Sequence, residues 1–143
     1  MARARIFLAM SEQSLEKSVY ELCGADFFIA LVDAFYDGIE TDHVLMPLYP
    51  EGAQTQGARH RLASFLIQYW GGPHTYMEER GHPRLRMRHQ PFVIGESERD
   101  HWLMHMANAI ESTMEMIPEQ VREGVVDQLA QYMVNAAEHL RNT

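Results

Sequence analysis

The residues from Arg84 to Phe92 read RLRMRHQPF. Three arginines, Arg84, Arg86 and Arg88, fall within five positions and lead directly into His89, in a chain whose net charge is -8. Leu85 and Met87 precede that histidine, and a proline and the apolar pair Phe92 and Val93 follow it. An imidazole in an apolar slot flanked by cations is what haem asks for: a ligand for iron, walls for the ring and partners for two propionates. The same residues also suit a core histidine beside an arginine patch that docks nucleic acid or a partner protein. Composition alone leaves both readings open.

A second group carries polar tips on apolar positions. Tyr36 and Trp102 each sit on the apolar stripe of a predicted helix, where a buried hydroxyl or indole N–H needs a partner. Tyr49 stands between two prolines in LMPLYP. Each of the three, taken alone, also fits an ordinary amphipathic aromatic at the edge of a core. His101 and His105 are spaced i, i+4, which can present two imidazoles to one metal, but no Cys or carboxylate in the sequence obviously completes that set. They, with His43, His60, His74 and His139, are read as solvated. There is no G-x-S-x-G, Gly-rich phosphate loop, CxxC or H-E-x-x-H, so no nucleophile or zinc-hydrolase chemistry is indicated.

Four helices position these groups. The first long one puts Phe28, Leu31, Val32, Phe35, Tyr36 and Ile39 on one face and Asp26, Asp33, Asp37 and Glu40 on the other. A shorter piece, about Ser14 to Leu22, precedes it and ends at Gly24. The next carries Ala58, Leu62, Phe65, Leu66 and Tyr69 and stops at Gly71-Gly72-Pro73. The third is predicted to open at Ser97 with Asp100 as capping partner and to bury Trp102, Met106, Ala109, Ile110 and Met114. The fourth starts near Pro118, with Val121, Val125, Leu129, Met133, Ala136 and Leu140 as its stripe. Between the pairs, residues 71–95 hold three prolines and four glycines. A segment that irregular and that rich in Arg, His and aromatics reads as a structured, ligand-facing connector.

At 143 residues, 46% of them hydrophobic, the chain is expected to be one all-α domain over residues 14–143 with a flexible extension at 1–13. One cysteine, Cys23, excludes an internal disulfide and fits a cytoplasmic protein. No apolar run reaches the length of a membrane span, and the acidic balance disfavours nucleic acid as a partner. Yet six of the twelve Lys and Arg residues (Arg59, Arg61, Arg80, Arg84, Arg86 and Arg88) lie between 59 and 88, which points to a local anionic ligand.

The run RLASFLIQYWGGPHTYMEERGHPRLRMRHQPF, followed by ERDHWL, closely resembles the group II truncated haemoglobins, bacterial globins of the HbO type. The likeness extends from about Tyr20 to Leu140, and the YWGGP and RGHPRLRMRH blocks are its most specific part. It implies a two-over-two α-helical globin holding haem b, with the proximal ligand on a structured loop and short helix. By residue, it implies His89 as the iron ligand. It implies Tyr36, Tyr49, Ala58 and Trp102 around the bound gas. Arg61, Leu62, Phe65 and Leu66 are implied as haem contacts, and Arg84, Met87 and Phe92 are expected to join them from their position beside His89. One departure is that Cys23-Gly24 stands where the family usually has a glycine pair, which bears on the first turn.

The implied activity is binding of O2, CO or NO. If two distal donors each contribute about 1.5 kcal/mol, O2 release slows by roughly two orders of magnitude. Slow release suits a sensor, scavenger or redox catalyst better than an oxygen transporter that must unload. The rival is a peroxidase-like or NO-oxidising enzyme, which would borrow electrons from an external reductase because no flavin or nicotinamide site is recognisable. A homodimer is compatible with the sequence. A haem-free interaction module is the third reading.

Overall fold

The computed structural model describes residues 17–52 and 54–143; the expected extension at 1–13 lies outside the described residues. All regular structure among them is helical. Helix α1 (Val19–Ile39) begins at Ser18, whose hydroxyl accepts the Glu21 N–H at 3.1 Å while the Glu21 carboxylate accepts the Ser18 N–H at 3.4 Å. That reciprocal cap satisfies two donors that a helix start otherwise leaves orphaned. The helix breaks at Gly24 (φ 80°, ψ 167°), so the short leading piece does end where glycine permits a left-handed backbone. A Cβ at Gly24 would meet nothing, so the turn needs glycine for its torsion alone, and Cys23 before it causes no difficulty.

Past the break, Phe27, Phe28, Leu31, Val32, Phe35, Tyr36 and Ile39 are buried along one stripe. Full burial of side chains of this size stabilises by about 1.5–3 kcal/mol each. Helix α2 (Gln56–Tyr69) packs on α1, which in turn crosses α5 (Glu96–Thr113); α5 packs on α6 (Arg122–Leu140). The result is two helix pairs laid one over the other. The connector between them carries two short helices, α3 (Thr75–Arg80) and α4 (Leu85–His89).

The Gly71-Gly72 pair does more than stop α2. A Cβ on Gly71 would come within 2.5 Å of Ser18 Cβ, and one on Gly72 within 2.7 Å of Tyr20 and Ile67. The Tyr20 N–H donates to the Trp70 carbonyl at 3.0 Å, so the start of α1 and the end of α2 touch backbone to backbone there.

Three local expectations shift. The α5 cap is Gly95 with Glu98, whose carboxylate accepts the Gly95 N–H at 2.8 Å, and not Ser97 with Asp100. Glycine fits that cap because a Cβ would meet Thr143 Oγ1 at 2.8 Å. Along the α6 stripe, Val121, Val125, Leu129 and Met133 are buried as expected, but the next buried position is Ala137, four residues on, with Ala136 only half-buried. Tyr69 is 53% exposed, not part of the buried side of α2.

Candidate functional site

A cavity of about 490 Å3 lies between the helix pairs and the connector. That is within the ~300–1,000 Å3 typical of ligand sites. On one side stands His89, at the end of α4. Its Nδ1 lies 2.6 Å from the Leu85 carbonyl. A carbonyl can only accept, so Nδ1 carries the proton and Nε2 keeps its lone pair, on a ring that lines the cavity. Leu85, Phe92, Ile94, Ala137 and Leu140 supply apolar wall around it.

The backbone is built to hold that ring. Arg84 enters α4 in the left-handed region (φ 44°), the one non-glycine with positive φ among the described residues, and its N–H donates to His82 Nδ1 at 3.2 Å. Arg88 donates from Nε to the Pro83 carbonyl at 2.7 Å and from Nη2 to the Arg80 carbonyl at 3.1 Å, folding the connector back on itself. After the histidine, Asn142 clasps the chain. Its side chain accepts the Ile94 N–H at 2.9 Å and donates to the Phe92 carbonyl at 2.7 Å, and its own N–H donates to the Ile94 carbonyl at 2.8 Å.

The same cavity carries the polar aromatics. Tyr36 from α1, Tyr49 from the turn after Met46–Leu48 and Trp102 from α5 all line the cavity, with Ala58, Leu62 and Phe65 from α2. The Tyr36 and Tyr49 rings meet edge to face with centroids 5.7 Å apart, and Trp102 packs edge to face on Phe35 at 5.4 Å. Burial pushes the Tyr36 phenol up to about 12, against smaller opposing effects of Arg61, the Tyr49 hydroxyl and Arg59. Burial raises Tyr49 further still, with the neighbouring Tyr36 adding to it. Both hydroxyls are therefore neutral donors at any physiological pH.

The cations divide. Arg61, Arg80, Arg88 and Arg99 reach the cavity. Arg61 pairs with Glu51, and Arg99 with Glu96, Asp100 and Glu138. Arg59 turns outward to Asp33, Asp37 and Glu40 on α1. Of the residues singled out from the sequence, Leu66, Arg84 and Met87 are not on the cavity wall. Leu66 lies in the core beneath it, while Arg84 and Met87 are exposed. Arg80 belongs to the basic cluster but was not singled out as a contact; Arg99, Tyr76, Leu45 and Ile94 were not anticipated, and nothing local marks Ile94 or Leu45. His101 and His105 are not solvated either: both reach Asp42. No group of three or more ligating side chains forms a metal centre among the described residues.

The donor set fits haem: one imidazole with its second nitrogen fixed, an apolar enclosure and arginines at its edge. Known proteins share this arrangement of sequence and fold. Residues 18–135 match the model of the bacterial-like globin family. The chain is 38% identical over 122 residues to the group 2 truncated hemoglobin YjbI of Bacillus subtilis, covering 83% of this chain and 89% of that one. Among solved structures it resembles a thermostable hemoglobin from Thermobifida fusca (44% identity, TM-score 0.81, 89% of this chain and 98% of that one). It also resembles a truncated oxygen-avid haemoglobin from B. subtilis (32% identity, TM-score 0.77, 88% of this chain and all of that one).

Proposed function

Because the chain belongs to the bacterial-like globins, and among them to the group 2 truncated haemoglobins, we propose that it binds haem b through His89 and holds O2, CO or NO beside Tyr36, Tyr49 and Trp102. The observation that carries this reading is the His89 ring, tied at Nδ1 and bordering a cavity that is also lined by three hydrogen-bond donors. Haem would supply the iron at which the gas binds. His89 would hold the iron through its Nε2 lone pair, and the Leu85 carbonyl would make the ring a stronger donor by drawing on its N–H. Leu62, Phe65, Leu85 and Phe92 exclude water, which strengthens every polar contact inside.

Trp102 can donate but never accept, so it favours a ligand atom carrying partial negative charge. O2 gains more from this than CO does. Retention rather than rapid delivery is the expected behaviour. The name of one solved relative, an oxygen-avid haemoglobin, is consistent with it. Arg61 and Arg80 border the cavity as partners for the propionates.

The test is an absorption spectrum, ferric and then dithionite-reduced, for wild type and His89→Gly. Wild type should show a strong Soret band and a five-coordinate ferrous form. In His89→Gly that form should disappear and return on adding imidazole. A colourless protein that fails to take up added haemin ends the reading.

A further inference from the structure

Asp42 is a carboxylate in an unexpected place: it is 9% exposed, on the loop between α1 and the turn that leads to Tyr49. One of its oxygens, Oδ1, accepts the N–H of Val44 at 2.8 Å and of Leu45 at 3.1 Å. The other, Oδ2, is met by His101 Nδ1 at 2.9 Å and His105 Nε2 at 2.6 Å, both from α5. The His105 ring lies so close to α1 that a Cβ on Gly38 would fall 2.5 Å from its Nδ1. So α1, the Tyr49 loop and α5 meet at this cluster. Trp102 lies between the two histidines in the sequence of α5, one position after His101.

We propose that Asp42, His101 and His105 form a proton-responsive brace that sets the gap between the Tyr49 loop and the Trp102 helix, making all three positioning residues for the gas pocket. The proposal rests on the globin reading above. Its chemistry follows from the groups present. Burial opposes ionisation of Asp42, but the hydrogen bonds from His101, His105 and the Leu45 and Val44 amides outweigh it, so its carboxyl is held well below the usual range and stays anionic. A neutral imidazole still donates one N–H to that anion; a cationic one adds the attraction between full opposite charges to the same bond.

The first proton gained by the pair therefore tightens the brace. A second places two cations at i, i+4, where like charges repel. His101 should yield then, because its side chain is 38% exposed against 12% for His105. The other groups facing the cluster do not compete. From the loop, Tyr49 feels the Asp42 charge but remains a neutral phenol. From α1 it is Gly38 that faces the cluster, and the carboxylates Asp33, Asp37 and Glu40 are held by Arg59.

The chain has two tryptophans, Trp70 and Trp102, which makes the test direct. In the ferrous, CO-bound holoprotein, the two indole N–H resonances would be followed by proton–nitrogen NMR from pH 5 to 8. The Trp102 signal should shift with pH while Trp70, remote from the brace, stays fixed. The CO stretching frequency should follow the same curve. In His105→Gln the shift should be lost, and in Asp42→Asn, which keeps an acceptor for Val44 and Leu45, it should also be lost. A Trp102 signal that does not titrate, or that titrates identically in His105→Gln, overturns the brace. If either variant fails to fold, His101→Gln decides: its half-exposed side chain is dispensable for packing, and an unchanged curve overturns the proposal. Failure to form any CO complex would instead count against the globin reading, so the two failures are distinguishable.

Discussion

At the scale of single residues, side chains that share the sequence's basic run prove to have different tasks. Arg84 stands in the left-handed region with its side chain in solvent, so its backbone torsion matters more than its charge. Glycine removes the steric cost of that region, which for other residues is about 1–2 kcal/mol. Arg84→Gly is thus expected to leave stability unchanged or raise it by up to about 1 kcal/mol in urea unfolding. Arg80, at the cavity, is expected to behave otherwise: Arg80→Gln should speed transfer of haem to apomyoglobin several-fold, and Arg84→Gly should not. Trp102→Phe removes one donor worth about 1.5 kcal/mol. The O2 off-rate measured by stopped flow should rise about tenfold.

Tyr36 gives a pH prediction at the same scale. Its phenol titrates near 10 when unfolded and near 12 when folded. A raised pKa means its contribution is complete below pH 10 and is lost as pH climbs toward 12. Urea unfolding between pH 9 and 11.5 should show wild type losing more stability than Tyr36→Phe. His89, Tyr36, Tyr49 and Trp102 drew notice because each combines a polar tip with an apolar setting, but their residue types left two readings open and the family resemblance is what made them candidates. The Asp42 cluster was not legible. Its acid lies 59 positions from one histidine and 63 from the other, and no local pattern links them.

At the scale of elements, the helices were readable because their apolar spacing is strong, and their ends were less so. Ser97 and Asp100 make a plausible cap by residue type, yet the chain takes Gly95 and Glu98, whose carboxylate accepts the Gly95 N–H. On α6 the stripe holds from Val121 to Met133 and departs only at its end, where Ala137 is buried in place of Ala136. The connector was recognised as structured but not resolved into α3 and α4. Its order depends on bonds from outside it, above all those of Asn142. Asn142→Ala is expected to speed hydrogen exchange of the Ile94 amide at least tenfold, while amides in the middle of α1 keep their protection.

At the scale of the whole molecule, the acidic chain gathers its cations for two purposes rather than one. Some border the cavity, but Arg59 bonds Asp33 at 3.2 Å, Asp37 at 2.9 Å and Glu40 at 3.1 Å, and so neutralises a row of like charges along α1. The cluster between 59 and 88 pointed to an anionic ligand without saying which of the six would reach it, because a count cannot tell which helix a side chain will face. Arg59→Gln should lower Tm by a few degrees at low salt. Calorimetry in 1 M salt, where charges are screened beyond about 3 Å, should show a smaller loss. The two-over-two arrangement itself was legible, through the resemblance carried by YWGGP and RGHPRLRMRH more than through periodicity. The Asn142 clasp also sets a clock. At the ~5–20 residues per second of protein synthesis, the ribosome adds Asn142 some seconds after His89. Throughout that interval the segment following the histidine lacks its fastener, so a nascent chain offers haem only an unfinished seat, and durable loading belongs to the time after α6 has been made.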